Sequence, residues 1–439
     1  MNKVILIKNK IEEFNKEIVV SGDKSISIRW VLFSSIAEGN SKAINLLMSE
    51  DVLAAISAVK KLGIKVKIFK NNCVIYGKGI DGYNYKKNLI INAKNSGTLG
   101  RLILGLLINT PYEIKLIGDN SLSKRDFKRV AEPLRKFGAK INLTRNKTLP
   151  LTIRGIQNPV PINYHENKGS AQCKSAIILA GLRTEGKTLI KAKKSRNHTE
   201  LFAKQLMLPV KVTHKKKYDF IEVSKAKKIK TSFYKIPSDI SSSAFFIVLT
   251  ALKKKSKLLI KNVNINPSRT GVIKILKMMG VNITYKNKKI YNGELVADLF
   301  IKSAKKLYGI NCPQYLNSGA IDEFLLIFLV AAKAKGISTF KNLSELNEKE
   351  SPRLDWGAKI LKKIGIKTIK TKNSIKIYGN PNIIVNKKII IKDFLKDHRV
   401  FMTSVIAALS FGGSWKIYDT DSIKTSFPSF MSLINKLKK

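Results

Sequence analysis

The chain has 439 residues, 44% of them apolar, and a formal net charge of +52. Its length exceeds one ordinary hydrophobic core and calls for two domains, while the apolar share excludes a disordered chain. The longest apolar run, Phe324 to Ala332, is too short to span a bilayer, and the opening MNKVILIKNK turns charged too soon for a secretory leader. Three scattered cysteines, Cys73, Cys173 and Cys312, argue against a disulfide framework and a cysteine-built metal site. Only four histidines occur (165, 198, 214 and 398), none at metal-ligand spacing, so neither metal nor other cofactor is expected. A cytoplasmic, membrane-free protein is the expectation. The positive charge could attract nucleic acid, but it is spread along the whole chain, is mostly lysine and reads as compositional drift. The arginines are more selective: seven of the twelve fall inside the apolar-helix starts and motifs described below.

Taken in chain order, two kinds of helix alternate. Largely apolar helices are predicted from Ser25 (SISIRWVLFSSIAEG), Ser96 (SGTLGRLILGLL) and Ser170 (SAQCKSAIILAGL). Three more follow from Ser241 (SSSAFFIVLTAL), Gly319 (GAIDEFLLIFLVAAKAKG) and Asp397 (DHRVFMTSVIAALSFGG). Helices apolar on most sides belong inside a domain. Amphipathic helices are predicted between them, ending at Gly63, Gly138, Gly280 and Gly365, where glycine suits a left-handed helix cap. A weaker copy puts Pro209 at the glycine position, and Leu433 to Leu437 closes a sixth helix. Short alternating strands such as Lys65 to Ile68 and Lys140 to Leu143 lie between. The chain therefore reads as a six-fold repeat, packed as two α/β (α+β) domains of three units each.

What begins the apolar helices bears on function. Helix N-termini present unpaired N–H groups and partial positive charge, which favour phosphate or carboxylate. Here the starts carry Lys24, Gly97 and Thr98, Ser170 to Gln172, Asp239, Asp322, and Asp397 to Arg399. Ordinary N-capping by Ser or Asp explains any one of them, and six together suggest clefts lined for anions. Gly97 lets a ligand approach the backbone, and Arg125 ends a polar loop, GDNSLSKR. In ELNEKESPR, beside Arg353, Lys349 and Glu350 could form a proton-transfer pair, or the segment is a solvated loop. Asp322 reads as a second candidate base or as a helix cap.

With the motifs GDKSIS, NSGT, GDNSLSKR, SAQCK, SRNHTE, SDISSSAFF, NINPSRTG, AIDE, ELNEKESPR, DHR and SFPSF in this order, the chain resembles the enolpyruvyl-transferase superfamily. The closer resemblance is to the branch acting on shikimate 3-phosphate, in its class II bacterial form. The resemblance implies two domains of three βαβαββ units each, with buried parallel helices, closing over an interdomain cleft. It implies residues 1–22 plus 237–439 for one domain and 23–236 for the other, hinged near 22–23 and 236–238. It implies enolpyruvyl transfer from phosphoenolpyruvate to the 5-hydroxyl of shikimate 3-phosphate in aromatic amino acid biosynthesis, by a protein expected to be a monomer.

By the same resemblance, Lys24, Ser25 and Arg29 bind shikimate 3-phosphate, the last two at its carboxylate, and Ser170 and Ser195 hold its phosphate. Ala171 stands where some members carry a second phosphate-binding serine. Gln172 lies between the substrates. Lys24, Gly97, Arg125, Arg353 and Arg399 bind phosphoenolpyruvate. Asp322 accepts the 5-hydroxyl proton, and Lys349 and Glu350 protonate the enol carbon, with Asp322 and Lys349 also touching shikimate 3-phosphate. Lys424 and Thr425 occupy a place where some members have a lysine. Two rival readings are a sister transferase acting on a UDP-sugar, whose loop cysteine is missing near Arg125, and a relative of RNA 3′-phosphate cyclases, whose basic charge would be interleaved with aromatics.

Overall fold

Six helices carry the interior of the chain, whose computed structural model describes residues 3–438. They are Lys24–Ser35, Gly97–Leu106, Ala171–Gly181, Ile240–Leu252, Phe324–Lys333 and His398–Phe411. Almost every residue beyond their first turn is buried, because a helix apolar all round is stable only when surrounded. They form two sets of three. In one unit the first three pack together around Trp30, Leu102 and Ile177. In the other the last three pack around Phe246, Phe328 and Ile406. Each unit has its own core, and the protein is mixed α/β. Among the described residues no helix is long and apolar enough to cross a membrane.

The unit holding both chain ends, here the terminal unit, comprises the residues up to Ser21, Pro237–Ile290 and the chain from Leu295 onward. The middle unit is Gly22–Ile236 together with Tyr291–Glu294. This differs in two places from a division into 1–22 plus 237–439 and 23–236. Gly22 belongs with the middle unit, where a Cβ would meet the Asn45 carbonyl oxygen at 2.1 Å. The turn Tyr291–Glu294 is held there by Tyr234 Oη, which donates to Asn292 O at 3.1 Å, and by His198 Nδ1, 2.6 Å from Glu294 Oε1.

Five of the six apolar helices start as their sequences predict. Asp23, Ser96, Ser170, Asp239 and Asp397 each accept a backbone N–H with the side chain. The fifth differs. A short helix, Asn317–Ala320, comes first, and the buried helix begins only at Phe324 with Glu323 at its cap position. Asp322 thus lies in the turn ahead of the helix and does not cap it. The amphipathic partners end as expected in left-handed residues at Gly63, Gly138, Gly280 and Gly365. The equivalent residue in the third repeat is Met207, with φ of 53°, and not Pro209. The helix His198–Gln205 ends two residues earlier than the proline suggests.

Among the described residues, six small sheets accompany the six helix pairs. In the second repeat Leu89–Asn92, Ile114–Ile117, Lys140–Asn142 and Leu151–Arg154 form one sheet, with the two helices between them in βαβαββ order. The third repeat does the same. The first and fourth exchange strands. Phe233–Lys235 precedes the fourth apolar helix yet pairs with Glu38–Ile44 of the first repeat. Asn15–Val19 precedes the first apolar helix yet pairs with Lys257–Asn264 of the fourth. Ile5–Ile7 likewise completes the last sheet against Ser414–Ile417.

Candidate active site

In the middle unit the three helix starts are tied together by side chains. Lys24, the first residue of its helix, reaches Asp51 Oδ2 at 2.9 Å. Arg29, one turn on, is only 3% exposed. Its Nε donates to Thr199 Oγ1 at 2.8 Å, Nη1 to Ser25 O at 3.0 Å and Nη2 to Ser175 Oγ at 3.0 Å. Burial pulls the Arg29 guanidinium down to about 10, against the opposing pull of Glu200 and Asp23. Below it, Lys174 Nζ lies 2.6 Å from Glu200 Oε1, so a buried ion pair fastens the SRNHTE segment to the third apolar helix.

A second cluster joins the second and third helix starts. Gln172 Nε2 donates to Thr98 Oγ1 at 3.0 Å while its Oε1 accepts from Arg101 Nη1 at 2.6 Å. Arg101 also donates to Asp126 O at 3.0 Å and lies over the Phe127 ring, 4.9 Å from its centroid. Arg125 Nη2 donates to Asn95 Oδ1 at 2.8 Å, and Asn95 in turn is held by Asp119. Burial, with Arg129 and Arg125 nearby, pulls Arg101 down to about 9. A guanidinium keeps its proton at neutral pH, so the shift expresses burial first and neighbouring positive charge second, and an anion would relieve both. Gly97 leaves room there: a Cβ would come 3.0 Å from Arg101 Nη1 and 3.3 Å from Arg125 Nη1.

Ser170 caps its helix by accepting from Cys173 N at 3.2 Å, which leaves its own hydroxyl hydrogen to donate elsewhere. Ala171, the first residue of that helix, accepts from Ser175 Oγ at its carbonyl. Ser195 Oγ is buried with no hydrogen-bond partner among the described residues. A cavity of about 500 Å³ in this unit lies elsewhere, over the strands that carry Leu189 and Phe220, and none of these residues lines it.

The terminal unit gathers the remaining candidates around one arginine. Arg353, first in the helix Arg353–Lys363, is 2% exposed. Its Nε donates to Asp397 Oδ2 at 2.8 Å and Nη2 to Asp397 Oδ1 at 3.2 Å, a bidentate pair. Nη2 also binds Glu350, and Nη1 lies 3.4 Å from Asp322 Oδ1. Burial alone would lower the Arg353 guanidinium, but Asp397, Glu350 and Asp322 outweigh it and raise it above its usual value. Lys349 Nζ stands 3.4 Å from the same Asp322 oxygen. Arg399 Nη1 donates to the Asp322 carbonyl at 2.9 Å and lies 3.6 Å from Glu323 Oε1. Thr425 bonds to His398 and to the Ser422 carbonyl, while Lys424 is exposed.

Within each unit, then, the candidates cluster. Ser25 and Arg29 share one network, with Lys24 beside it bonded to Asp51, and Gly97, Arg125 and Gln172 share another. Asp322, Lys349, Glu350, Arg353 and Arg399 form the third. Sequence reading missed the groups that orient them: Asp51, Ser175, Thr199 and Glu323. Glu323 left the clearest trace, as an acidic residue directly before nine apolar ones. Among the described residues no three His, Cys, Asp or Glu side chains converge as metal ligands would.

Comparison with known proteins places the whole chain in a family. A family model described as EPSP synthase (3-phosphoshikimate 1-carboxyvinyltransferase) matches residues 8–434. The 3-phosphoshikimate 1-carboxyvinyltransferase of Bacillus cytotoxicus is 38% identical over 425 residues, covering 96% of this chain and 98% of that protein. The solved EPSP synthase of Acinetobacter baumannii has a TM-score of 0.87 at 35% identity, covering 100% of this chain and 98% of its own. The enolpyruvyl transferase NikO of Streptomyces tendae, with a TM-score of 0.78 at 12% identity and coverage of 100% and 98%, shares the fold. Since the family model spans nearly the whole chain and the named relatives match it end to end, the chain belongs to the EPSP synthase family.

Proposed function

We propose that the chain transfers the enolpyruvyl group of phosphoenolpyruvate to the 5-hydroxyl of shikimate 3-phosphate, and that the residue clusters divide this work. The carrying observation is the terminal cluster, where two carboxylates that could exchange protons, Asp322 and Glu350, share Arg353 with Lys349 alongside. The reaction is an addition followed by an elimination. The 5-hydroxyl oxygen bonds to C2 of the enol phosphate and gives up its proton, while the methylene carbon gains one. The resulting methyl group then loses a proton, the C–O bond to phosphate breaks, and inorganic phosphate leaves with that electron pair. Each stage needs a base and an acid at hydrogen-bonding range.

Asp322 takes the 5-hydroxyl proton, and Glu350 with Lys349 handles the proton on the enol carbon. Arg353 and Arg399 hold phosphoenolpyruvate by forked contacts suited to carboxylate and phosphate. In the middle unit the crowded guanidiniums around Gly97, with Arg125 foremost, take its remaining charge. Lys24, Ser25, Arg29, Ser170 and Ser195 bind shikimate 3-phosphate, Ala171 offers it the backbone N–H of a helix start, and Gln172 sits between the two substrates. The protein works as a cytoplasmic monomer, which sedimentation would check.

Purified protein given both substrates without added metal should release one phosphate per transferred group. Folded protein that releases none would refute the reading.

A further inference from the structure

Arg399 is held in place by a second layer of charge that the transfer reaction does not itself require. Its Nη1 donates to the Asp322 carbonyl at 2.9 Å and faces Glu323 Oε1 at 3.6 Å. Glu323 is 1% exposed and stands at the cap position of the helix Phe324–Lys333. It does not cap, since its side chain bonds to no backbone N–H of that helix. Instead Oε1 accepts from Ser241 Oγ, in the first turn of the helix Ile240–Leu252. Ser241 Oγ in turn accepts from Arg269 Nη2 at 2.7 Å, and that nitrogen lies 3.6 Å from Asp239 Oδ1. Glu323 Oε2 is buried with no hydrogen-bond partner among the described residues. The result is a line of alternating charge: Arg399, Glu323, then Arg269 through Ser241, then Asp239. It joins the starts of the fourth, fifth and sixth apolar helices.

We infer that Glu323 is a positioning residue for phosphoenolpyruvate: it orients Arg399 and offsets its charge, with Ser241 and Arg269 fixing the carboxylate. Sequence places Glu323 beside the candidate base Asp322, which invites assigning it a proton-transfer role. The structure argues otherwise, because its bonded oxygen is spent on Ser241 and it faces an arginine. A buried carboxylate with an unused oxygen is costly unless cations compensate it, and Arg399 and Arg269 stand on either side to do so. Removing its charge would leave the half-buried Arg399 and the buried Arg269 without the carboxylate that stands between them. Arg399 would then lose one of the two groups that set its direction, and a forked ligand depends on direction for its strength.

The inference rests on the reading of Arg399 as a phosphoenolpyruvate ligand, and the test separates the two. Steady-state kinetics with each substrate varied would be measured for Glu323→Gln, Arg399→Lys and the double variant. Glu323→Gln should raise KM for phosphoenolpyruvate about tenfold, the scale of a lost hydrogen bond to a charged group. It should leave kcat within about threefold and KM for shikimate 3-phosphate unchanged, as expected when binding alone is lost. In the double variant KM for phosphoenolpyruvate should match that of Arg399→Lys alone, because Glu323 acts through Arg399. Additive losses, or a normal KM in Glu323→Gln beside a raised one in Arg399→Lys, would overturn the inference and leave the ligand reading standing. A normal KM in Arg399→Lys would overturn both. A collapse of kcat in Glu323→Gln with unchanged KM would make Glu323 a proton-transfer group instead. Should Glu323→Gln fail to fold, Ser241→Ala replaces it, with a smaller rise in the same KM expected and an unchanged KM overturning the inference.

Discussion

The arginine clusters of the two units are opposites in charge balance. In the middle unit Arg101 sits with Arg125 and Arg129, and burial together with that company lowers it to about 9. In the terminal unit Arg353 is more deeply buried yet is raised above its usual value, because Asp397, Glu350 and Asp322 surround it. The same side chain thus serves two ends. Where cations crowd one another, a cluster gains by taking in an anion. Where carboxylates ring the arginine, the charges balance and the cluster is a frame that holds those carboxylates in place. Burial alone distinguishes neither case; the neighbours decide.

Matched truncations test this contrast most directly. Arg353→Met leaves three carboxylates around an apolar side chain and should cost about 3–5 kcal/mol in urea unfolding, the range for breaking a buried charge network. Arg101→Met removes a crowded cation and should cost under about 1 kcal/mol, since relieved repulsion offsets the lost bond to Gln172. Equal losses at the two sites would break the comparison. Next in size, Asp322→Asn and Glu350→Gln should each cut turnover at least ~100-fold with folding intact; near-normal rates would remove their proton-transfer roles. Arg101→Met should raise KM for phosphoenolpyruvate about tenfold with kcat little changed, as loss of an anion-holding charge requires. Smallest of all, Gly97→Ala should raise the same KM about threefold, because its methyl would press on Arg101 and Arg125. An unchanged KM there would mean that the two guanidiniums yield at no cost.

What could be read from sequence depended on the range of the interaction. The six apolar helices and their partners follow from local periodicity, and their caps from single residues, so both were legible. Pro209 misled because proline marks a helix end without fixing which residue turns left-handed, and Met207 takes that strain. Asp322 misled because the turn Asn317–Ala320 delays the helix behind it. The candidate residues themselves were named by their motifs. Their partners were not, since pairing is long-range: Arg29 and Thr199 are 170 positions apart, and Ser241 and Glu323 are 82 apart. Strand exchange between the first and fourth repeats was equally hidden, because the segment Asn15–Val19 reads the same whichever neighbour it joins.

That exchange has a consequence for how the protein is made. The strand Asn15–Val19 leaves the ribosome well before its partner Lys257–Asn264, which follows more than two hundred residues later. The middle unit meanwhile can close its first sheet as soon as Phe233–Lys235 emerges. Synthesis order and folding order are therefore inverted at this strand: Asn15–Val19 waits while a later segment folds around its own core. Through that wait Ile18 and Val20, both destined for burial, stay exposed with an unpaired backbone edge beside them, the condition under which nascent chains need protection from one another.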